Sequence, residues 1–457
     1  MKKLLLALFA LALVVAFTAP SYAADFKYSG FFRIRAFSSN NLDRNEDMDD
    51  SSSGLDALSR PRFTATTDKG KIWAMWEIDW YENKYRETTE GERAKKADVT
   101  GTNQNVANAN AIFGRTGGRV GVGTNRWVVD FAVPGSALRA RWGRTDYTSP
   151  DGEIFDSNGS SRRPGIGVYG KLSKNMSLSM FMQRSGTSSY EDPKTGAVAG
   201  GVKIGSTDDN VDNYYAAVGV KVSPTTTLTP WVALSRDGKG KSLTYAALHA
   251  KAKVGIFNVS ATGVSVGGDA SADKDASGWA MLVRSSASMG KLKLMANLTM
   301  LSGDDENWKD EGESEVSDFS RLFPGTGALR TGILISGRGN GSVNDIQTPG
   351  RVGGNGITNG KLGKTNGAVV GELALAYAVS KTLKLGAGIH VYESAEDDGM
   401  GNSDYGTEFD AGMFWKIYPK LELRAGFAYL AAGDYGKAAD KDNDDSWMAM
   451  MSLRHAF

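Results

Sequence analysis

Apolar side chains recur at every second position in segment after segment of this chain, a period that fits a β-strand with one apolar and one polar face. Phe26, Tyr28, Phe32, Ile34 and Ala36 share one face of the first such segment, while Lys27, Ser29, Arg33 and Arg35 share the other. Ile72, Ala74, Trp76, Ile78 and Trp80 alternate with Glu77 and Asp79, and Trp127, Val129, Phe131 and Val133 oppose Arg126 and Asp130. The pattern returns at Leu383, Leu385, Ala387, Ile389 and Val391, and again at Leu421, Leu423, Ala425, Phe427 and Tyr429. Beyond residue 24 no apolar run reaches the roughly 20 residues that a membrane helix needs.

The amino terminus has a different grammar. Met1-Lys2-Lys3 leads into an apolar run from Leu4 to Phe17, followed by the small-residue stretch Thr18-Ala19-Pro20-Ser21-Tyr22-Ala23-Ala24. A charged start, an apolar middle and a small-residue exit make residues 1–24 an expected secretory signal, cut after Ala23 or Ala24. The run is too short to serve comfortably as a spanning anchor. Export combined with two-residue alternation leaves one architecture, because only helices and closed barrels satisfy every backbone group inside a bilayer. Residues 25–457 are therefore expected to form an all-β, transmembrane, antiparallel up-and-down β-barrel. Its low overall hydropathy fits, since only alternate residues of each strand must face lipid.

The connections carry a second regularity. Val222-Ser223-Pro224-Thr225-Thr226-Thr227-Leu228 and Val379-Ser380-Lys381-Thr382-Leu383 each end one alternating segment and begin the next, as do Leu172-Ser173-Lys174-Asn175-Met176 and Ile417-Tyr418-Pro419-Lys420-Leu421. Between these tight junctions lie long polar or Gly-rich stretches, the longest at 83–124 and 303–366. Short turns at one end and long loops at the other match an outer-membrane barrel, with the short turns periplasmic. Eighteen alternating segments can be counted from 26 to 457, including 256–266 and 277–289. Weaker alternation from 241 to 289 makes sixteen the competing count. An even number puts both termini on the periplasmic side. A soluble solenoid or propeller would show a fixed-period repeat, and none is found.

The last segment reads Ser446-Trp447-Met448-Ala449-Met450-Met451-Ser452-Leu453-Arg454-His455-Ala456-Phe457, with Phe457, His455, Leu453, Met451, Ala449 and Trp447 on one face. It resembles the carboxy-terminal assembly signal of outer-membrane barrels, and its Leu-Arg-His-x-Phe ending is similar to that of the Gram-negative trimeric porins. Ser452 stands where those porins usually carry Gly. The resemblance implies an outer-membrane location, outer-membrane lipid and lipopolysaccharide as surroundings, recognition of Phe457, His455 and Leu453 by the barrel-assembly machinery, and a homotrimer. A fainter likeness, in the segment from Phe319-Ser320-Arg321-Leu322-Phe323-Pro324 to Asn344-Asp345, is to alginate-export-type barrels.

The expected function is a water-filled channel for passive diffusion of small hydrophilic solutes and ions. The alternative is a channel dedicated to a sugar, an anionic polysaccharide such as alginate, or an organic acid. Selection in such a channel rests on the narrowest ring of side chains and the field across it. Arg33, Arg35, Arg60, Arg62, Glu77 and Asp79 fall on the polar faces at about 15 to 23 Å from the periplasmic rim, taking roughly 3.3 Å per residue and a 40° tilt. Arg126, Asp130, Arg139 and Arg141 continue that face. These ten residues are the candidate pore lining and constriction. Rows of arginine facing carboxylate orient polar solutes, and arginine offers paired donors to carboxylates, phosphates or sugar hydroxyls.

Other chemistry is not indicated. With 53 basic and 52 acidic residues the chain is nearly neutral, which gives no support for nucleic-acid binding. It has no cysteine, hence no disulfide framework or thiolate metal site. Gly238-Lys239-Gly240-Lys241-Ser242 lacks the upstream spacing of a phosphate loop. The Asp440, Asp442, Asp444 series puts Asp445 where a calcium loop needs glycine. His249, His390 and His455 are too dispersed to suggest a metal site or triad, so neither cofactor, metal nor enzymatic grouping is expected. The inward-folding loop of the bore is sought in 303–366, with 83–124 as its rival.

Overall fold

The computed structural model describes residues 25–40, 52–67, 70–86, 121–145, 147–154, 163–186, 189–191, 198–203, 210–237, 240–272, 274–304, 315–317, 319, 367–397, 400–435 and 445–457. The expected signal segment 1–24 lies outside them, as do most of 83–124 and of 303–366. Along the chain the strands are β1 (Asp25–Asn40), β2 (Ser52–Thr67), β3 (Ile72–Arg86), β4 (Gly121–Ala132), β5 (Leu138–Thr145), β6 (Arg163–Lys171) and β7 (Met176–Gly186). A small hairpin of β8 (Ser189–Glu191) and β9 (Val198–Lys203) follows. Next come β10 (Asn210–Lys221), β11 (Thr226–Asp237), β12 (Ser242–Val254), β13 (Phe257–Ser271), β14 (Lys274–Met289), β15 (Leu292–Leu301) and the two-residue β16 (Glu315–Val316). The wall ends with β17 (Ala368–Ala378), β18 (Leu383–Glu393), β19 (Asp404–Tyr418), β20 (Leu421–Ala432) and β21 (Ser446–Ala456).

Without β8, β9 and β16, the remaining eighteen strands pair antiparallel with their sequence neighbours, β7 joining β10 and β15 joining β17. The ring closes where β1 pairs with both β2 and β21, for example Arg33 opposite Leu58 on one side and Arg454 on the other. Closure removes every sheet edge from the lipid, the condition for strands to cross a bilayer. Eighteen was the larger of the two expected counts. The doubtful region, 241–289, resolves into three full strands, β12 to β14, and β13 and β14 run beyond the expected 256–266 and 277–289 to Ser271 and Lys274. A register shift between Asp269 and Ser271 interrupts their upper ends, where no apolar alternation advertises pairing.

The alternation sorts side chains to the two surfaces of the wall. Phe32, Ile34, Trp142, Val232, Leu248, Leu373, Phe409 and Met451 are exposed on the outside, as a lipid-facing surface requires, while the next residues in sequence turn inward. Aromatic rings gather outside the short-turn end at Phe26, Tyr28, Phe63 and Phe457, with Tyr28 and Phe457 stacked at 5.2 Å. Such rings suit the boundary of hydrocarbon and water.

The repeated serine of the tight junctions has a clear job. In the turns at Ser173, Ser223 and Ser380 the hydroxyl accepts a hydrogen bond from the amide two residues on, at 3.3, 3.2 and 3.1 Å. Two other junctions contain only two residues, Gly255-Ile256 and Gly290-Lys291, and both glycines sit at φ +60°. That left-handed backbone suits a two-residue hairpin and costs a side chain strain.

Candidate functional site

The inner faces of β20, β21 and β1 to β5 form an arc dense in arginine. Arg60 grips Asp79 with two bonds, Nε to Oδ1 at 2.5 Å and Nη2 to Oδ2 at 2.7 Å. Beside this pair, Arg62 donates from Nε and Nη2 to Glu77 Oε2 at 2.8 and 2.5 Å. Residues 60 and 62 meet 79 and 77 because the β2–β3 register places Arg62 directly opposite Glu77. A register shift after Glu77 leaves Asn125 as an extra residue on β4, so both Asn125 (2.5 Å) and Arg126 (3.5 Å) reach the buried Glu77 carboxylate.

Asp130, wholly buried, gathers the next group. It accepts from Arg139 Nε at 2.5 Å, Arg141 Nε at 2.9 Å and the Tyr169 hydroxyl at 2.5 Å. Arg141 also donates to the Tyr169 oxygen at 2.8 Å, with its guanidinium over the Tyr169 ring. Arg33 and Arg35 lie on the inner face of β1 opposite Leu58 and Asp56, a step away from the Arg60 and Asp79 pair. Thus the structure brings Arg60, Arg62, Glu77, Asp79 and Arg126 into one cluster, Asp130, Arg139 and Arg141 into a second, and sets Arg33 and Arg35 beside the first.

Sequence reasoning missed several members of the arc. Arg454 and Arg60 both place guanidiniums over the Phe31 ring, at 4.2 and 5.4 Å. Glu422 takes Arg424 at 2.8 Å and Arg454 at 3.4 Å. Arg424 and Arg454 alternate with lipid-facing residues as Arg33 and Arg35 do, so the signal was present. Tyr169 and Phe31 carried none, because a ring on a polar face becomes informative only once its cationic neighbour is known.

Next to this arc on the wall, on β17 to β19, is an acidic strip. His390 on β18 bridges two carboxylates, Nδ1 3.0 Å from Glu372 of β17 and Nε2 3.2 Å from Asp410 of β19. Tyr392 donates to Glu408 at 3.3 Å. Each member is buried on the inner face. Among the described residues no group is placed to hold a metal ion. Arginine-rich and carboxylate-rich stretches thus lie side by side on the wall, and low-dielectric surroundings concentrate the field of each.

Among the described residues, a segment that neither loop expectation named folds inward; most of 83–124 and of 303–366 lies outside the described residues. Residues 147–154, directly after β5, enter the bore. Tyr147 stacks on Phe181 at 4.5 Å, Phe181 on Tyr215 at 4.6 Å, and Tyr215 leans on Trp231 at 5.7 Å. The loop ring fits because residue 167 is glycine: a Cβ there would lie 3.1 Å from Tyr147. Burial pushes the Tyr147 phenol up to about 12, so it stays neutral in this apolar stack. The turn is built by Asp151, whose Oδ1 accepts from the Ser149 hydroxyl and from the Glu153 and Ile154 amides at 2.7 to 2.9 Å. Beyond it Glu153 reaches Arg284 on β14, seven strands around the wall, through bonds of 3.1 and 2.9 Å. The loop is thereby a chord across the bore. The arginine arc and the acidic strip lie on one side of it, and the aromatic stack on the other.

Only the stretch 302–304, 315–317 and 319 of the other long loop is described apart from its far end. Glu315 and Val316 pair parallel to the start of β14, and Phe319 is fully buried.

Comparison with known proteins agrees with this architecture. A family model for Gram-negative porins matches residues 9–320. No curated protein sequence matches the chain. Among solved structures, Pseudomonas aeruginosa OccK2 (OpdF) is similar with a TM-score of 0.54 at 11% identity, over 95% of this chain and 98% of that one. OccK9 (OpdG) of the same organism gives 0.54 at 15% identity over 95% and 99%, and OpdK with vanillate gives 0.53 at 14% over 95% and 98%. At these identities the likeness is one of fold. Family match, closed eighteen-strand wall and charged bore agree: the chain belongs to the Gram-negative porins and forms a channel in the outer membrane.

Proposed function

We propose that this porin passes small anionic solutes, carboxylates above all, in preference to cations. The observation that carries the reading is the composition of the arc: nine arginines (33, 35, 60, 62, 126, 139, 141, 424 and 454) interleave with the carboxylates of Glu77, Asp79, Asp130 and Glu422. Two or more guanidiniums share most of these carboxylates, so donors remain in excess. A passing carboxylate can exchange places along such a row without leaving a cation bare, which keeps binding weak enough for release.

The experiment is a reversal potential in a KCl gradient with the purified protein in a planar bilayer. Anion preference is expected, and saturable block by vanillate, the ligand named with the OpdK structure, supports a dedicated carboxylate channel over a general one. A cation-selective channel sinks the reading. The same proposal includes a homotrimer, supported by the Leu-Arg-His-x-Phe ending, and handover by the barrel-assembly machinery through the outward Leu453, His455 and Phe457. A native mass of one subunit in mild detergent refutes the trimer.

A further inference from the structure

Below the chord, toward the short turns, the bore wall is hollowed by a cavity of about 510 Å³. It is lined by Lys251 and Lys253 of β12, Lys293 of β15, Arg284 of β14 and Glu153 of the loop, with the hydroxyls and amides of Thr225, Thr227, Asn258, Ser260, Ser286 and Asn297 between them. Four cations and one carboxylate line a space large enough for a small organic molecule. The cluster lies on a different wall from the arginine arc, and the alternation places it inward: Lys251 is opposite Ser260, Lys253 opposite Asn258, and Ser260 opposite Arg284.

Arg284 is the distinctive member. Its Nη1 is tied to the wall by the Leu298 carbonyl at 3.2 Å and the Thr299 hydroxyl at 2.9 Å. Its Nε and Nη2 are the pair that hold Glu153. A guanidinium anchored by one nitrogen keeps its other two donors aimed whether or not Glu153 occupies them. Glu153 is then an internal carboxylate seated in a ready-made carboxylate fork, with three lysines nearby that line the same cavity.

We propose that this cavity is a binding subsite for a small carboxylate solute on the periplasmic side of the constriction, and that the solute displaces Glu153 from Arg284 and so releases the chord. Loop and solute compete for one fork, so solute binding and widening of the bore are linked: each favours the other by the same factor. The proposal builds on anion passage but uses a separate set of residues.

The test uses the full barrel in planar bilayers, with benzoate added on the periplasmic side, benzamide as its uncharged isostere and inorganic phosphate as the other oxyanion. Benzoate should cause resolved steps in the current and benzamide none. Lys251→Ala with Lys253→Ala should weaken benzoate binding by about tenfold. Glu153→Gln should raise conductance without solute and tighten benzoate binding by about tenfold, since the internal competitor is gone. An unchanged benzoate dissociation constant in both variants overturns the subsite, and steps caused by phosphate with benzoate silent overturn the carboxylate assignment. Two readouts separate the two ideas: a wild-type reversal potential without anion preference defeats the arc, while a benzoate constant indifferent to Lys251→Ala with Lys253→Ala defeats the subsite.

Discussion

The Phe457 ring lies across the bare α-carbon of Gly30, and the two residues exchange a pair of backbone hydrogen bonds at 3.1 and 3.2 Å. A Cβ at residue 30 would come within 2.8 Å of the ring and 2.4 Å of the Arg60 carbonyl. Gly30→Val should therefore destabilise the seam by about 1 to 3 kcal/mol, the usual range for overpacking. Phe457→Ala loses the stack on Tyr28 and should cost about 1 kcal/mol for that term. Urea unfolding of the refolded barrel in micelles measures both, and an unshifted Gly30→Val midpoint contradicts the close fit.

The chord enters the bore at Tyr147, whose ring stacks on Phe181. Tyr147→Ala removes the ring, and Gly167→Val drives a side chain into its seat, so both should raise single-channel conductance. Equal conductance in both variants means that the narrowest point lies elsewhere.

Glu77 neutralises a cluster that contains Arg60, Arg62 and Arg126. Glu77→Gln keeps the shape and removes the negative charge, so anion preference should increase. Because Glu77 is buried among these cations, the same change should also lower stability, by an amount on the order of 3 kcal/mol. A shift of the reversal potential toward cations would reverse the assigned polarity of the arc.

Screening gives a prediction that needs no mutation. The Debye length falls from about 10 Å at 0.1 M salt to about 3 Å at 1 M. Selectivity produced by the field of the arc should fade over that range, whereas exclusion by size should persist. Comparing reversal potentials at matched gradients of low and high KCl distinguishes them.

The wall was legible in the sequence because lipid enforces alternation residue by residue, and it stopped being legible where lipid stops. Ser271 and Lys274 belong to strands, yet their neighbourhood is polar and Gly-rich, so nothing in it reports pairing. The charged faces at Arg60, Arg62, Glu77 and Asp79 could be read because cross-strand partners lie one turn away. Glu153 and Arg284 are 131 residues apart, and Thr-Ser-Pro-Asp-Gly-Glu has the composition of any exposed turn. The bridge of His390 was hidden in the same way, since Glu372 and Asp410 arrive from two other strands.

The seam of β1 with β21 also bears on how the barrel closes during assembly. Phe32 and His455 face each other across more than four hundred residues of chain, whereas nearly every other strand contact joins neighbours. Loop-closure entropy grows only slowly with length, so the seam is affordable once its two strands are presented together. It is still the contact of greatest sequence separation and hence the slowest to find unaided. Until it forms, the sheet has two raw edges. A circular permutant that covalently joins β21 to β1 and opens the chain at an extracellular loop turns this slow search into a local hairpin, and it should insert with faster kinetics than the parent.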